Sequence, residues 1–128
     1  MTVYPTKRAL VIGDGSWGTA LSIILAKNEV PTTLWSAFPE QTEDLTRHRE
    51  NRPFLPGIAL PDNLEFSADP EVACDGADLI VSVVPTQFLR GVARRFEEFL
   101  SDSVPIVSAT KGLEIETMKP PTNIWLEL

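Results

Sequence analysis

The chain has 128 residues, which suits one domain, and its 43% hydrophobic and 23% charged residues are ordinary for a globular protein. A net charge of -7 argues against general attraction to nucleic acid or to an anionic membrane surface. The single cysteine, Cys74, excludes an intrachain disulfide, and together with the single histidine, His48, it cannot complete a zinc site built from protein ligands alone.

The first half of the chain predicts alternating strands and helices. Residues 1–8 lack a signal-peptide pattern, and the apolar run that follows predicts a buried strand over 8–13. Residues 16–27 predict a helix, and the β-branched and aromatic residues at 32–35 predict a second strand. A helix is predicted over 39–49, because it opens with proline and glutamate and ends in basic residues. Residues 50–62, with prolines at 53, 56 and 61, predict an irregular loop.

The second half continues the alternation. Strands are predicted over 64–66, 79–84 and 105–108, and helices over 69–74 and 86–100, with a last helix opened by Pro120 and Pro121. This pattern is typical of an α/β fold, so we predict a doubly wound, mostly parallel sheet of Rossmann type with helices on both faces. We see no linker and therefore expect residues 1–128 to form one domain. No apolar run approaches the about 20 residues of a membrane helix, so we expect a soluble, cytoplasmic protein.

Residues 13–18, the glycine loop, fit the pattern G-x-G-x-x-G and lie between the first predicted strand and the first predicted helix. In a dinucleotide-binding domain Gly13 permits the tight turn, Gly15 lets the backbone approach a pyrophosphate, and Gly18 lets the helix pack closely. The free amides of the helix start then face the phosphates. A plain strand-to-helix turn is the alternative. Asp14 would repel phosphate, so binding requires its side chain to point away, towards a backbone amide for example.

The residues after the second strand leave the choice between NAD and NADP open. Residues 35–38 contain no acid that would hold the ribose hydroxyls and select NAD. Nothing there repels the 2′-phosphate of NADP, yet no arginine follows the strand directly. Arg47, Arg49 and Arg52 could reach round to a phosphate, although basic residues at a helix end usually serve the helix dipole and solvent.

Lys111 and Pro85 follow predicted strands at the edge where open α/β sheets bind ligands. A lysine there is a mobile positive charge that suits a phosphate or a developing alkoxide. The alternative is an ordinary surface lysine. For Thr86, capping of the next helix is the safer interpretation. We predict Cys74 to be a small buried side chain and assign no catalytic role to His48.

Five blocks, in order, resemble the amino-terminal half of bacterial NAD(P)-dependent glycerol-3-phosphate dehydrogenase: 13–21, 34–35, 49–58, 83–87 and 108–114. The glycine loop is generic, but LPGI at 55–58 and ATKGLE at 109–114 are specific. The resemblance implies reversible reduction of dihydroxyacetone phosphate to sn-glycerol 3-phosphate, with hydride from NADH or NADPH, for glycerophospholipid synthesis.

The resemblance also assigns residues. Ser16 and Trp17 would contact the cofactor diphosphate and neighbouring groups, and Phe54 would lie in a loop covering the cofactor, where many relatives have tyrosine. Phe38 and Pro85 would also contact the cofactor, and Lys111 would lie near both nicotinamide and substrate. Relatives often carry a basic residue where this chain has Ala37 or Phe38, which weakens the case for NADP.

The catalytic general acid/base of the family is another lysine, on a helical domain that would follow Leu128. We therefore expect residues 1–128 alone to turn over negligibly, and the full-length enzyme to be a candidate homodimer. The apolar pattern at 123–128 stops abruptly, which suggests a truncated chain. Two alternatives are a fragment of a related hydroxy-acid dehydrogenase and a non-catalytic NAD(P)-binding module.

Overall fold

Five parallel strands form the central sheet of the computed structural model, which describes residues 5–128. Met1 to Tyr4 lie outside the described residues, and so does half of the segment, 1–8, that was judged to lack a signal-peptide pattern. The strands are β1 (Ala9–Ile12), β2 (Thr32–Trp35), β3 (Leu64–Ser67), β4 (Leu79–Ser82) and β5 (Ile106–Ser108). The helices are α1 (Ser16–Lys27), α2 (Pro39–His48), α3 (Pro70–Cys74), α4 (Thr86–Phe96) and α5 (Pro121–Leu126), with a 3₁₀ turn at Glu97–Phe99.

The strand order is β3-β2-β1-β4-β5, with every neighbouring pair parallel. Ala9 of β1 lies opposite Thr32 on one side and Leu79 on the other, so β1 is the centre of the sheet. The order reverses between β1 and β4, and a crevice for ligands forms outside the carboxyl ends of strands at such a point. The prediction of a doubly wound sheet is therefore confirmed, and the sheet is wholly parallel.

Alternating side chains of the strands build two hydrophobic cores, one on each face of the sheet. Leu10 and Ile12 of β1 pack with Leu89 and Phe96 of α4, whereas Val11 packs on the other face with Leu45 of α2. The opposite orientation of neighbouring strand residues thus gives each face its own helices. This arrangement confirms the expected layers and leaves the carboxyl edge of the sheet open.

The observed elements are shorter than predicted where the chain leaves the sheet towards the crevice. β4 ends at Ser82, although the Val83 amide still donates to the Ile12 carbonyl at 2.8 Å, and Pro85 has no amide hydrogen for further pairing. In α4, Leu89, Ala93 and Phe96 are buried. Phe88 is exposed, since it lies about 100° round the helix from Leu89.

The proline-rich loop, residues 49–62, is anchored by Arg49. This residue adopts a left-handed conformation with φ of 52°, and its Nη2 donates to the carbonyl oxygens of Pro61 and Leu64, the latter at 2.9 Å. Its guanidinium also lies 5.0 Å from the centre of the Phe66 ring. The interpretation of Arg49 as a solvated helix end was wrong, because the side chain closes the loop onto β3.

Within residues 5–128 no helix combines the length and the apolar character needed to cross a bilayer. In the same part of the chain, no three His, Cys, Asp or Glu side chains lie close enough together to hold a metal ion. At the carboxyl end, α5 packs against the sheet, where the indole Nε1 of Trp125 donates 3.0 Å to the buried Ser82 Oγ.

Candidate nucleotide-binding site

The glycine loop turns from β1 into α1 with a backbone that only glycine tolerates at two positions. Gly13 has a φ of 121°, and a Cβ there would lie 2.9 Å from the backbone of Val83. A Cβ on Gly18 would lie 1.9 Å from the carbonyl oxygen of Gly13. Gly15 has no neighbour within 4 Å of such an atom, so it borders open space. The three glycines therefore provide the turn, the helix packing and the open backbone of a pyrophosphate site.

The amino terminus of α1 carries no side-chain cap. Gly15 occupies the cap position, and the first helical bond joins the Thr19 amide to the Gly15 carbonyl at 2.9 Å. The amides of Ser16, Trp17 and Gly18 precede that bond in the first turn, whose N–H groups have no partner within a helix. Such a helix start binds anions, because several amides and the helix dipole point the same way.

The carboxylate of Asp14 is turned towards the end of β2. Its Oδ2 accepts a 2.9 Å hydrogen bond from Ser36 Oγ, whose hydroxyl oxygen in turn accepts from the Phe38 amide at 3.2 Å. The prediction that Asp14 points away from the phosphate position agrees with this geometry. Its partner, however, is a hydroxyl group and not a backbone amide.

Asn51 ties the proline-rich loop to the glycine loop, and sequence reasoning assigned it no role. It is completely buried, and its Nδ2 donates to the Asp14 carbonyl at 2.9 Å and to Thr19 Oγ1 at 2.7 Å. Its Oδ1 accepts from Gln41 Nε2 at 3.2 Å and from the Phe54 amide at 3.4 Å. Asn51 lies within the block 49–58, but only its burial reveals that it holds the two loops together.

A groove of about 430 Å³ opens at the carboxyl edge of the sheet. It is lined by Trp17, from the start of α1, and by Lys111, from the segment that follows β5. Pro85, at the start of α4, also lines it. The remaining lining residues come from the segments around Pro85 and Lys111, namely Val83, Val84, Thr86, Gln87, Ala109, Thr110, Gly112 and Leu113. The predicted positions on three separate strand ends thus border one crevice.

Residues 109–113, the lysine turn, are held by hydroxyl groups. Thr110 Oγ1 donates to the carbonyl oxygens of Ser82 at 3.2 Å and Val84 at 2.9 Å. Thr86 Oγ1 donates to the carbonyl oxygen of Lys111, and Gly112 turns with a φ of 92°. The prediction that Thr86 caps α4 is wrong, because Pro85 occupies the cap position and no side chain caps this helix. Lys111 is exposed as well as lining the groove, so its ammonium is free to meet a ligand.

An ion pair supports the far side of the lysine turn. Arg90 of α4 contacts the buried Glu114 carboxylate through Nε and Nη2, the latter at 2.9 Å. The hydrogen bonds from Arg90, and then from Thr117, lower the pKa of Glu114 from its ordinary 4.5 to about 2. Gln87 Nε2 donates 3.0 Å to the Leu113 carbonyl, so the segment after Lys111 is fastened to α4 at two places.

Phe38 and Phe54 lie apart from the residues that line this groove. Phe38 follows β2 and is 64% exposed, and Phe54 lies in the proline-rich loop and is 51% exposed. Phe54 is nevertheless close to the glycine loop through Asn51, which bonds both segments. Exposed aromatic rings at these two positions are available to a ligand that extends from the glycine loop past β2.

Three other side chains lie outside the candidate site. His48 is 3.4 Å from Asp44 one turn earlier in α2. Cys74, predicted to be a small buried side chain, is partly buried against the core that contains Leu10, and burial raises the pKa of its thiol. Lys119 pairs with Glu127 on α5. None of the three lines the groove that contains Lys111.

A parallel sheet in the order 3-2-1-4-5, with an uncapped helix after a G-x-G-x-x-G turn at the point of reversal, defines a Rossmann-type dinucleotide-binding domain. Residues 8–127 match the family model described as NAD-dependent glycerol-3-phosphate dehydrogenase N-terminus. The chain belongs to this family.

Named relatives agree with the match. The chain is 47% identical over 106 residues to glycerol-3-phosphate dehydrogenase [NAD(P)+] of Thermus thermophilus, which covers 83% of this chain and 32% of that protein. It is 40% identical over 122 residues to the enzyme of the same name from Citrifermentans bemidjiense, covering 95% of this chain and 36% of that protein. The chain therefore spans about a third of the length of these relatives.

A solved structure shows the same fold. The crystal structure of glycerol-3-phosphate dehydrogenase from Coxiella burnetii superposes with a TM-score of 0.89 at 26% identity, covering 94% of this chain and 37% of that one. The yeast enzyme of the same name from Saccharomyces cerevisiae gives a TM-score of 0.83 at 30% identity, covering 94% and 39%.

Proposed function

We propose that the protein reduces dihydroxyacetone phosphate to sn-glycerol 3-phosphate reversibly with NADH or NADPH, and that this chain supplies the cofactor-binding half. The observation that carries the proposal is the single groove that joins Trp17, at the uncapped start of α1, to Lys111 in the lysine turn. The family membership and the names of the relatives support the reaction.

The glycine loop fits a dinucleotide. The amides of Ser16, Trp17 and Gly18 would bind the diphosphate, and the open space beside Gly15 admits it, since a Cβ there would meet nothing within 4 Å. Phe38 and Phe54 would contact the cofactor with their exposed rings, and Pro85 would form a wall of the groove. When bound, the cofactor supplies the hydride. The protein's contribution is to hold the reacting groups together and to keep the charge balanced.

Lys111 would act at the substrate end of the groove. Its ammonium is a positive charge at the carboxyl edge of the sheet, and its turn is fixed by bonds from Thr86 and Thr110. A positive charge in this position stabilises a substrate phosphate or the alkoxide that develops when a carbonyl is reduced. Lys111 therefore serves both substrate binding and electrostatic stabilisation in this proposal.

The rest of the proposal follows the family. A general acid/base lysine on a helical domain after Leu128 would transfer the proton, so the described chain contains no catalytic acid/base. The product would serve glycerophospholipid synthesis. We also propose a cytoplasmic location, which the lone Cys74 suits, and a homodimer of the full-length enzyme.

Assay of the full-length protein with NADH and dihydroxyacetone phosphate tests the proposal. We expect cofactor oxidation, and we expect Lys111→Ala to lower kcat/KM by roughly 10²-fold, as loss of a charge that stabilises the transition state does. Lys27→Ala is the matched control, because Lys27 is exposed at the opposite end of α1, and it should leave kcat/KM unchanged. NADH binding without turnover of this substrate, combined with turnover of a 2-oxo acid, would contradict the proposed substrate.

A further inference from the structure

The end of β2 lacks the residue that usually selects NAD. In dinucleotide-binding sheets an acid about 20 residues after the glycine loop hydrogen-bonds the ribose 2′-hydroxyl. Here β2 ends at Trp35, and no carboxylate occurs before Phe38. A carboxylate is present at this place all the same, because Asp14 reaches across from the glycine loop to Ser36, with 2.9 Å between Oδ2 and Oγ.

Ser36 fixes the direction of the Asp14 side chain. It is completely buried, its amide donates to the Ser67 carbonyl at 3.1 Å, and its Oγ accepts from the Phe38 amide. The Ser36 hydroxyl hydrogen is therefore directed to Asp14. Among the described residues, Ser36 Oγ is the one hydrogen-bond partner of the Asp14 carboxylate. An ionised carboxylate accepts about four hydrogen bonds, so this one keeps capacity for a ligand hydroxyl.

The nearby arginines do not face the same place. Arg49 donates to the Pro61 and Leu64 carbonyls, and Arg52 pairs with Asp44 at 2.7 Å. Arg47 lines a separate groove beside Phe66, which the glycine loop does not border. Arg95 lies 4.9 Å from the centre of the Trp35 ring, on the face of the sheet that α4 covers. Asp14 is the charged residue that hydrogen-bonds Ser36, directly after β2.

We propose that Asp14 determines cofactor specificity. Its carboxylate, held at the end of β2 by Ser36, accepts a hydrogen bond from the ribose 2′-hydroxyl of NAD(H) and repels the 2′-phosphate of NADP(H). The inference rests on the proposed function, in which the glycine loop binds one of these two cofactors. It explains how a chain without an acid after β2 discriminates between them.

Dissociation constants of NADH and NADPH, measured on the native protein by quenching of tryptophan fluorescence, test the inference. We expect NADH to bind at least about tenfold more tightly than NADPH, since a charge pair a few ångströms apart is worth that much or more. Asp14→Asn keeps the shape and removes the charge, so it should tighten NADPH and bring the two constants within about threefold. Ser36→Ala releases the carboxylate and should lower the preference by a smaller factor.

Asp102→Asn is the matched control. It removes the same charge from an exposed loop before β5, at the opposite edge of the sheet, and should leave the NADH preference unchanged. Thermal unfolding of each variant shows whether it is folded. Equal binding of NADH and NADPH by the native protein, or an unchanged preference in a folded Asp14→Asn variant, would overturn the inference while the proposed function stands. Failure of both cofactors to bind would overturn the proposed function and the inference with it.

Discussion

The two sides of the crevice are built in different ways. The glycine loop is fixed by backbone sterics, because a Cβ on Gly18 would lie 1.9 Å from a carbonyl oxygen. The lysine turn is fixed by side-chain hydroxyl groups, with Thr110 and Thr86 each donating to backbone carbonyls of the crevice. One side allows almost no chemical variation at Gly13 and Gly18, and the other depends on bonds that can be removed singly.

This difference suggests a division of roles. A diphosphate is bound by several amides at once, so the glycine loop must hold its shape before the ligand arrives. Lys111 acts through a long side chain, whose charge tolerates small movements of the turn that carries it. Substitutions should therefore cost stability on the glycine side, and mainly binding on the lysine side.

The largest expected effect is that of Gly18→Ala. The new methyl group would overlap the Gly13 carbonyl, so we expect a loss of about 4 kcal/mol in the free energy of unfolding, or no folded protein. Gly15→Ala is the control at the same loop, because its Cβ would meet nothing within 4 Å. Urea unfolding should show Gly15→Ala within about 1 kcal/mol of the native protein, and NADH titration should show it binding more weakly. Equal losses of stability in both variants would contradict the explanation that a steric clash at Gly18 fixes the glycine loop.

Asn51→Ala should have the next largest effect. It removes two hydrogen bonds to the glycine loop and empties space at a completely buried position, so we expect a loss of about 2–3 kcal/mol in the free energy of unfolding. Asn123→Ala, at an exposed position of α5, should stay within about 0.5 kcal/mol. A native-like unfolding curve for Asn51→Ala would show that the two loops are not coupled.

Thr86→Val tests the lysine side. The substitution keeps the shape and removes the bond to the Lys111 carbonyl, so it should cost about 1 kcal/mol in unfolding free energy. NADH should also bind a few-fold more weakly, because the lysine turn is held less firmly. Thr46→Val is the control, since its hydroxyl donates only within α2. If Thr86→Val destabilised the protein as much as Gly18→Ala, the two sides would not differ as described.

The last and smallest expected effect is a change in how stability depends on pH, which Glu114 sets. Its pKa is about 2 in the folded protein against an ordinary 4.5, because Arg90 and Thr117 donate to it. The ionised carboxylate thus contributes stability above pH 4.5, and that stability is lost as the pH falls towards 2. Thermal unfolding of Glu114→Gln should therefore depend less on pH in this range. Parallel pH profiles of the two proteins would contradict it.

The layout of the sheet could be predicted from the sequence, because short apolar runs between helical patterns leave few topologies open. The glycine loop and Lys111 could be placed at strand ends for the same reason. Strand and helix ends near the crevice could not, since the apolar run continues to Val84 although β4 ends at Ser82. Thr86 was expected to cap α4, and only the folded chain shows that its hydroxyl reaches the Lys111 carbonyl.

Contacts between distant segments account for the other differences. Asn51 and Ser36 are ordinary polar residues in a loop and after a strand, and nothing in their neighbours shows burial. Packing brings Asn51 to residues 32 and 37 positions away and Ser36 to Asp14, 22 positions away. A single sequence contains no local signal for such pairings, whereas glycine patterns and apolar periodicity are local.

Amide shifts of the ¹⁵N-labelled protein during titration with NADH test the central claim most directly. If the start of α1 binds the diphosphate and the lysine turn faces it, the largest shifts will occur at residues 15–18 and 109–113. Shifts confined to other parts of the chain, with these two segments unchanged at saturation, would contradict the account.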